Sequence, residues 1–259
     1  MTALSLLILG GTAEAAALAG AAGDRFGEAL AVTTSLAGRT RRPGPIPGRV
    51  RSGGFGGPHG LAAYLGQHRI DRLVDATHPF AAAISRAARL ACDMARVPRL
   101  TLLRPPWQRH PEDRWFEVDT MAEAAAIVGR IARRAWLTVG AGEIAAFEAL
   151  SGVDFLVRLV EPPSSPLPLR RCEVIVGRGP FSLAGERHRL ERHAIDVLVC
   201  KASGGAATEA KLVAARELGL PVVMLRRPSP EPGTAVDTIA AALDWLAAPA
   251  EFAAMGNGS

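Results

Sequence analysis

What most constrains this chain is a repeated junction, in which a short apolar run ends in glycine or a small polar residue and opens into a helical segment. Leu4–Leu9 (LSLLIL) is the first such run, closed by Gly10 and Gly11 and followed by the alanine-rich stretch Thr12–Ala22. A near-continuous apolar run suits a strand buried on both faces, the condition of a parallel sheet. Further strands are expected at Ala29–Thr34, Arg72–Asp75 and Arg99–Leu103, with helices over Gly60–Gln67 and Phe80–Ala95. Between them, Ser35 to Gly57 is rich in Gly, Pro and Arg and lacks periodicity. It reads as a long functional loop.

The pattern then begins again. Strands are expected at Trp115–Val118, Ala135–Val139, Phe155–Leu159, Glu173–Val176, Ile195–Cys200 and Pro221–Leu225. Helices are expected at Met121–Ala132, Phe181–Glu191, Gly205–Leu218 and Val236–Leu246. Such alternation predicts an α/β fold of parallel sheets with right-handed crossovers, arranged as two doubly wound halves. The restart places the boundary in Pro105–Arg114, giving halves of residues 1–108 and 109–248 and a frayed, disordered tail over 249–259. Ligands of such folds bind beyond the carboxyl ends of the strands, where the motifs of this chain fall.

Composition narrows the function. The opening MTALSLLILGG has no basic stretch before its apolar run, so it reads as a buried first strand rather than a signal peptide, with a cytoplasmic location. No uninterrupted apolar stretch is long enough for a membrane span. Cys92, Cys172 and Cys200 are far apart, and no CxxC or Cys/His cluster supports a disulfide frame or a metal site. The chain carries a net charge of +5, almost entirely from arginine, since Lys201 and Lys211 are its only lysines. Arginine grips phosphates and carboxylates bidentately. Only 5% of residues are aromatic and the cations are dispersed, so nucleic acid is a poor partner and a small anionic ligand a better one.

Six motifs carry the chemistry. In LILGGTAEA, Gly10 and Gly11 allow a sharp turn, and Thr12 can cap a helix whose free N–H groups receive phosphate, although the GxGxxG fingerprint is absent. In SLAGRT, Ser35, Arg39 and Thr40 stand where an NAD-binding domain would place an acidic residue, which favours the 2′-phosphate of NADPH. In GGFGG, Gly54 and Phe55 can lie close to a flat ligand. In DATHPFA, Thr77 and His78 follow a strand, and a histidine there can donate a proton. In GRGPF, Arg178 is a candidate anion contact. The last, KASGG…LRRP, offers Lys201, the turn Ser203-Gly204-Gly205 and Arg226, whereas Lys211 on the following helix reads as a structural surface lysine. Each motif can also be read as an ordinary strand–helix junction, basic loop or helix cap.

Taken in order, these motifs resemble the precorrin-6A reductase family over residues 4–228. The resemblance implies two Rossmann-like halves with cofactor and macrocycle in a cleft between them, and NADPH-dependent reduction of a ring double bond of precorrin-6A to give precorrin-6B. It implies a polycarboxylate tetrapyrrole as substrate and leaves room for transient contact with neighbouring pathway enzymes. On this reading Gly10, Gly11, Thr12, Ser35, Arg39, Thr40, Gly54, Phe55 and Thr77 bind the cofactor. Arg178, Ser203, Gly204, Gly205 and Arg226 bind the substrate, and His78 and Lys201 are the catalytic candidates. A cobalt-containing substrate, a non-catalytic nucleotide- or tetrapyrrole-binding protein, and a different NADPH reductase or epimerase are the alternatives. The glutamate of GAGEIAAF, Glu143, has no role on this reading.

Overall fold

The computed structural model describes residues 3–38 and 45–249. Its elements run β1 (Leu4–Leu9), α1 (Ala13–Phe26), β2 (Leu30–Leu36), β3 (Arg49–Ser52), α2 (Gly57–Gln67), β4 (Arg72–Asp75), α3 (Ala82–Ala95) and β5 (Arg99–Leu102). They continue with β6 (Trp115–Val118), α4 (Met121–Ile131), β7 (Arg134–Leu137), β8 (Asp154–Leu159), β9 (Cys172–Val176), α5 (Leu183–Arg192) and β10 (Val197–Lys201). The chain ends with α6 (Ala210–Glu217), β11 (Val222–Leu225), β12 (Ala235–Val236) and α7 (Ile239–Ala247).

Among the described residues every strand pair is parallel, and the strands form two six-stranded sheets. The first has the order β3-β2-β1-β4-β5-β12, and the second the order β9-β8-β7-β10-β11-β6. In each the strand order reverses beside a central strand, β1 in the first and β7 in the second, the order of dinucleotide-binding sheets. The sixth place in each sheet breaks chain order: β6 follows β5 along the chain but pairs with β11, while β12 follows β11 and pairs with β5.

Burial on both faces explains the apolar runs. In the first unit, Leu6 and Ile8 of β1 face Leu18, Ala19 and Ala22 of α1 and Leu246 of α7. The alternate residues Leu7 and Leu9 face Leu61 and Leu65 of α2 and Ala88 and Ala91 of α3. In the second unit, Leu137 and Val199 lie with Val128 of α4, and Trp136 and Leu198 with Leu190 of α5 and Leu212 of α6.

Two expectations need correction. The second half does not run to residue 248: residues 228–249 belong to the first unit, and only 106–227 form the second. The physical reason is a set of clasps on that segment. Thr101 and Leu103 donate backbone hydrogen bonds to Thr234 and Val236 at 3.0 and 2.8 Å. Arg99 donates to the carbonyl of Pro232, Arg89 pairs with Glu231 at 2.7 Å, and Arg25 pairs with Asp244 at 2.7 Å. Buried Arg72 donates to the carbonyls of Trp245 and Ala248, at the carboxyl end of α7, where a cation meets the helix dipole favourably. Part of the arginine surplus therefore holds the fold together. The second correction lies in the long loop, which contains β3, paired with β2 from Thr33↔Arg49 to Leu36↔Ser52. Its sequence, Arg-Val-Arg-Ser, is that of an exposed edge strand, with no apolar run to betray it. Residues 250–259 of the expected tail lie outside the described residues.

Replacing Arg72 leaves the last carbonyls of α7 without their donor. Arg72→Ala is expected to lower unfolding stability by about 2 kcal/mol, measured as a shift of the urea midpoint. An unchanged midpoint would show that the clasp contributes nothing.

Candidate functional site

In the first unit the strand order reverses between β1 and β4, and the loops beyond their carboxyl ends are where ligands of such sheets bind. Gly10 donates its N–H to the carbonyl of Ser35 at 2.9 Å. A Cβ there would lie 2.9 Å from Thr34 Cγ2 and 3.3 Å from the Cβ of Ala15, so glycine is needed for β1 to turn into α1. Gly11 is exposed, has φ +105°, and has open space where a Cβ would stand. The turn therefore leaves room over the amino end of α1, as a dinucleotide phosphate requires.

Thr12 has a fuller role than that of a cap. Its Oγ1 accepts from Ala15 N at 3.1 Å and donates to Ala76 O at 2.7 Å, joining the ends of β1 and β4. With that hydrogen committed to Ala76, the backbone N–H groups of α1 remain as the donors for an anion. Thr77 N and Oγ1 both donate to Asp75 Oδ1, at 3.1 and 2.7 Å, which leaves Thr77 Oγ1 to act as an acceptor. Asp75 is 2% exposed, and its Oδ2 has no partner among the described residues. His78 is exposed, and its Nδ1 accepts from Phe80 N at 3.2 Å, so the neutral ring carries its proton on Nε2.

Of the group expected to meet the adenosine ribose, Arg39 and Thr40 lie outside the described residues. Ser35, at the carboxyl end of β2, is 5% exposed, and its Oγ accepts from Arg51 Nη1 at 2.8 Å. Arg51 comes from β3. It also donates to the carbonyls of Gly53 and Gly54 at 3.0 and 3.3 Å, and its guanidinium lies 3.8 Å from the centre of the Phe55 ring. Gly54 and Phe55 thus brace an arginine that the sequence reading overlooked. The missing signal was β3 itself, which carries Arg51 to the end of β2.

The second unit reverses between β7 and β10. Here Thr138 N and Oγ1 donate to Val199 O at 2.9 and 3.0 Å, a join like that of Thr12. The residues after β7 form a 3-10 turn, Ala141–Phe147, which folds Glu143 over Gly140 and onto Lys201, whose Nζ donates to Glu143 Oε1. That contact gives Glu143 the role it lacked. After Lys201, the turn Ser203-Gly204-Gly205 has its carbonyls held. Arg227 donates to Ala202 O and Ser203 O at 3.2 and 3.0 Å, and Trp107 Nε1 to Gly205 O at 2.9 Å. The helix expected over Gly205–Leu218 divides into a short 3-10 turn and α6, because Glu209 at its start makes no side-chain cap.

The remaining cations fall into three groups. Arg178 is exposed on the turn after β9. Arg226 is exposed but pairs with Asp119 at 2.9 Å and Glu117 at 3.7 Å, so its charge is already matched by carboxylates. Lys211 is not on the surface: it is buried, donates to Thr208 O at 2.9 Å and lies 5.0 Å from the Trp107 ring. A buried cluster went unnoticed in the sequence. Arg158 and Arg189 both bond Glu186, which is fully buried, at 2.8 and 2.9 Å, and the Arg158 guanidinium lies 3.9 Å from the Phe181 ring. Burial lowers the Arg158 pKa while Glu186 opposes the shift. The cluster anchors Phe181 and with it the GRGPF turn.

Among the described residues no group of His, Cys, Asp and Glu could hold a metal ion, and no helix is long and apolar enough to cross a membrane. A model of the family described as Precorrin-6x reductase CbiJ/CobK matches residues 5–247. A precorrin-6A reductase of Rhodococcus erythropolis is 45% identical over 242 residues, covering 93% of this chain and 96% of its own. Its counterpart in Rhodobacter capsulatus is 40% identical, covering 93% and 95%. A solved structure of CobK precorrin-6A reductase is similar with a TM-score of 0.89 at 40% identity, over 94% of this chain and 96% of that one.

The three thiols differ in reactivity. Burial pushes Cys92 up to about 12 and Cys200 up to about 11, so neither supplies thiolate near neutral pH, whereas Cys172 is exposed. A disulfide reagent at pH 8 is expected to titrate Cys172 alone in the native protein, and the two buried thiols only after denaturation. Rapid native labelling of Cys92 or Cys200 would contradict this burial.

Proposed function

The chain belongs to the precorrin-6x reductase family, and we propose from that membership that it reduces precorrin-6A to precorrin-6B with NADPH as hydride donor. It is an oxidoreductase of cobalamin biosynthesis. Identity of 45% across 93% of the chain to a precorrin-6A reductase is the observation that carries this reading, and it favours the metal-free macrocycle over the cobalt form.

The first reversal fits a dinucleotide. Gly10 and Gly11 bring backbone N–H groups and the amino end of α1 to the pyrophosphate position. Residues 35–38 after β2 include no carboxylate to repel a 2′-phosphate. When bound, the nicotinamide would supply a hydride to one carbon of the ring double bond. The neighbouring carbon then takes a proton, and the protein's task is to hold the reacting groups close and deliver it. Thr77 Oγ1, kept as an acceptor by Asp75, suits an amide or hydroxyl donor of the cofactor. His78 and Lys201 are the candidate proton donors, His78 through Nε2–H and Lys201 through the Nζ that Glu143 holds. Among the substrate contacts, Arg178 stands exposed to receive a macrocycle carboxylate, and the braced Ser203-Gly204-Gly205 turn offers backbone groups.

Purified protein given NADPH and precorrin-6A is expected to oxidise the nucleotide with a matching change in the macrocycle spectrum. Cobalt-precorrin-6A should turn over more slowly. Absence of both changes would remove the reading, and tight macrocycle binding without turnover would make the chain a carrier. Lys201→Ala is expected to lower kcat by roughly a hundredfold. Unchanged kinetics would leave His78 or solvent as the proton source.

A further inference from the structure

The 2′-phosphate reading was made for Ser35, Arg39 and Thr40, yet the structure gives Ser35 a different task. At 5% exposure, with its Oγ accepting from Arg51, Ser35 is too enclosed to be the main contact of a bound phosphate. Arg51 is half-buried, and no carboxylate pairs with it among the described residues. Its guanidinium is held on several sides: by Ser35 Oγ, by the carbonyls of Gly53 and Gly54, and by the ring of Phe55. Phe55 in turn packs against the core cluster of Leu61, Leu65 and Leu73 and meets Tyr64 edge-on at 5.1 Å. A long flexible side chain has thereby lost most of its rotamer freedom before any ligand arrives, and the ordering cost of binding falls accordingly.

Position adds the ligand class. Ser35 Oγ ties Arg51 to the end of β2, the strand next to β1 on the glycine-turn side, where a dinucleotide-binding sheet meets the adenosine ribose. Leu36 O accepts from Gly53 N at 2.9 Å, and a Cβ on Gly38 would stand 3.7 Å from that nitrogen, so the turns after β2 and β3 lie backbone to backbone. A guanidinium fixed there, with N–H groups left over from its internal bonds, matches a phosphate monoester in charge and shape. We propose that Arg51 is the side chain that reads the 2′-phosphate of the cofactor, and that Ser35 and Phe55 are the residues that position it. This rests on the NADPH reading.

Titration calorimetry of the full chain with 2′,5′-ADP and with 5′-AMP separates the phosphate from the rest of the nucleotide. Wild type is expected to favour 2′,5′-ADP. Arg51→Gln should weaken 2′,5′-ADP by about tenfold or more while 5′-AMP shifts by less than about twofold. Ser35→Ala should lower the same ratio by about threefold, a selectivity loss that a general packing defect would not produce. Equal weakening of both nucleotides, or a preserved preference in Arg51→Gln, overturns the role of Arg51 and leaves the NADPH reading standing. A wild type with no preference removes the NADPH reading and this inference with it. Should Arg51→Gln melt early, Arg51→Lys keeps the charge without the planar fork. It should retain only part of the preference, and wild-type binding of 2′,5′-ADP by that variant counts against the proposal.

Discussion

Backbone hydrogen bonds between β5 and β12 decide how the first unit is built. Without them β5 would be a bare edge, and the face formed by Leu18, Ala22, Leu100 and Leu102 would lack the cover that α7 supplies through Ala242 and Leu246. A parallel sheet is stable only when both faces are covered. The pairing is short, two residues from each strand, so side chains supplement it. Arg25, Arg72, Arg89 and Arg99 each bond the returning segment, from four different elements of the first unit. β4 already lies between β1 and β5, so seating this segment gives β5 its second neighbour and makes it, too, an inner strand.

The two reversals share a device and differ in use. In each, a threonine after the central strand, β1 or β7, donates its hydroxyl hydrogen to a carbonyl in or just after the strand across the reversal, Thr12 to Ala76 and Thr138 to Val199. A hydroxyl satisfied in this way cannot also donate to a ligand, so its contribution is geometric. Beyond that join the first reversal stays open over Gly11, whereas the second is covered by Glu143 and Lys201. The open one suits a phosphate-bearing cofactor. The covered one places an ion pair at the end of β10.

Sequence showed the parts of the structure that depend on local pattern. Near-continuous apolar runs revealed β1, β10 and β11, because burial on both faces leaves little room for polar residues. Glycine turns after strands located both reversals. Hidden were the features decided by distant partners. The four residues of β3 alternate arginine with other residues and face solvent, so only pairing with β2 makes them a strand. Arg51 was unremarkable among many arginines until β3 brought it against Ser35. Lys211 looked solvated, but Trp107, far earlier in the sequence, covers it. Arg226 looked available until Glu117 and Asp119 were seen beside it. Pattern reports which face is buried, and says little about what covers it.

The exchange of sixth strands also sets an order of assembly. The second sheet is contiguous in sequence, from β6 to β11, so every residue it needs is synthesised before β12 is made. The first sheet, although its first strand is synthesised earliest, stays one strand and one helix short until β12 and α7 have followed. The second unit is therefore the first whose residues have all been synthesised. The amino-terminal unit must wait, its β5 edge and one apolar face unclosed, for β12 and α7.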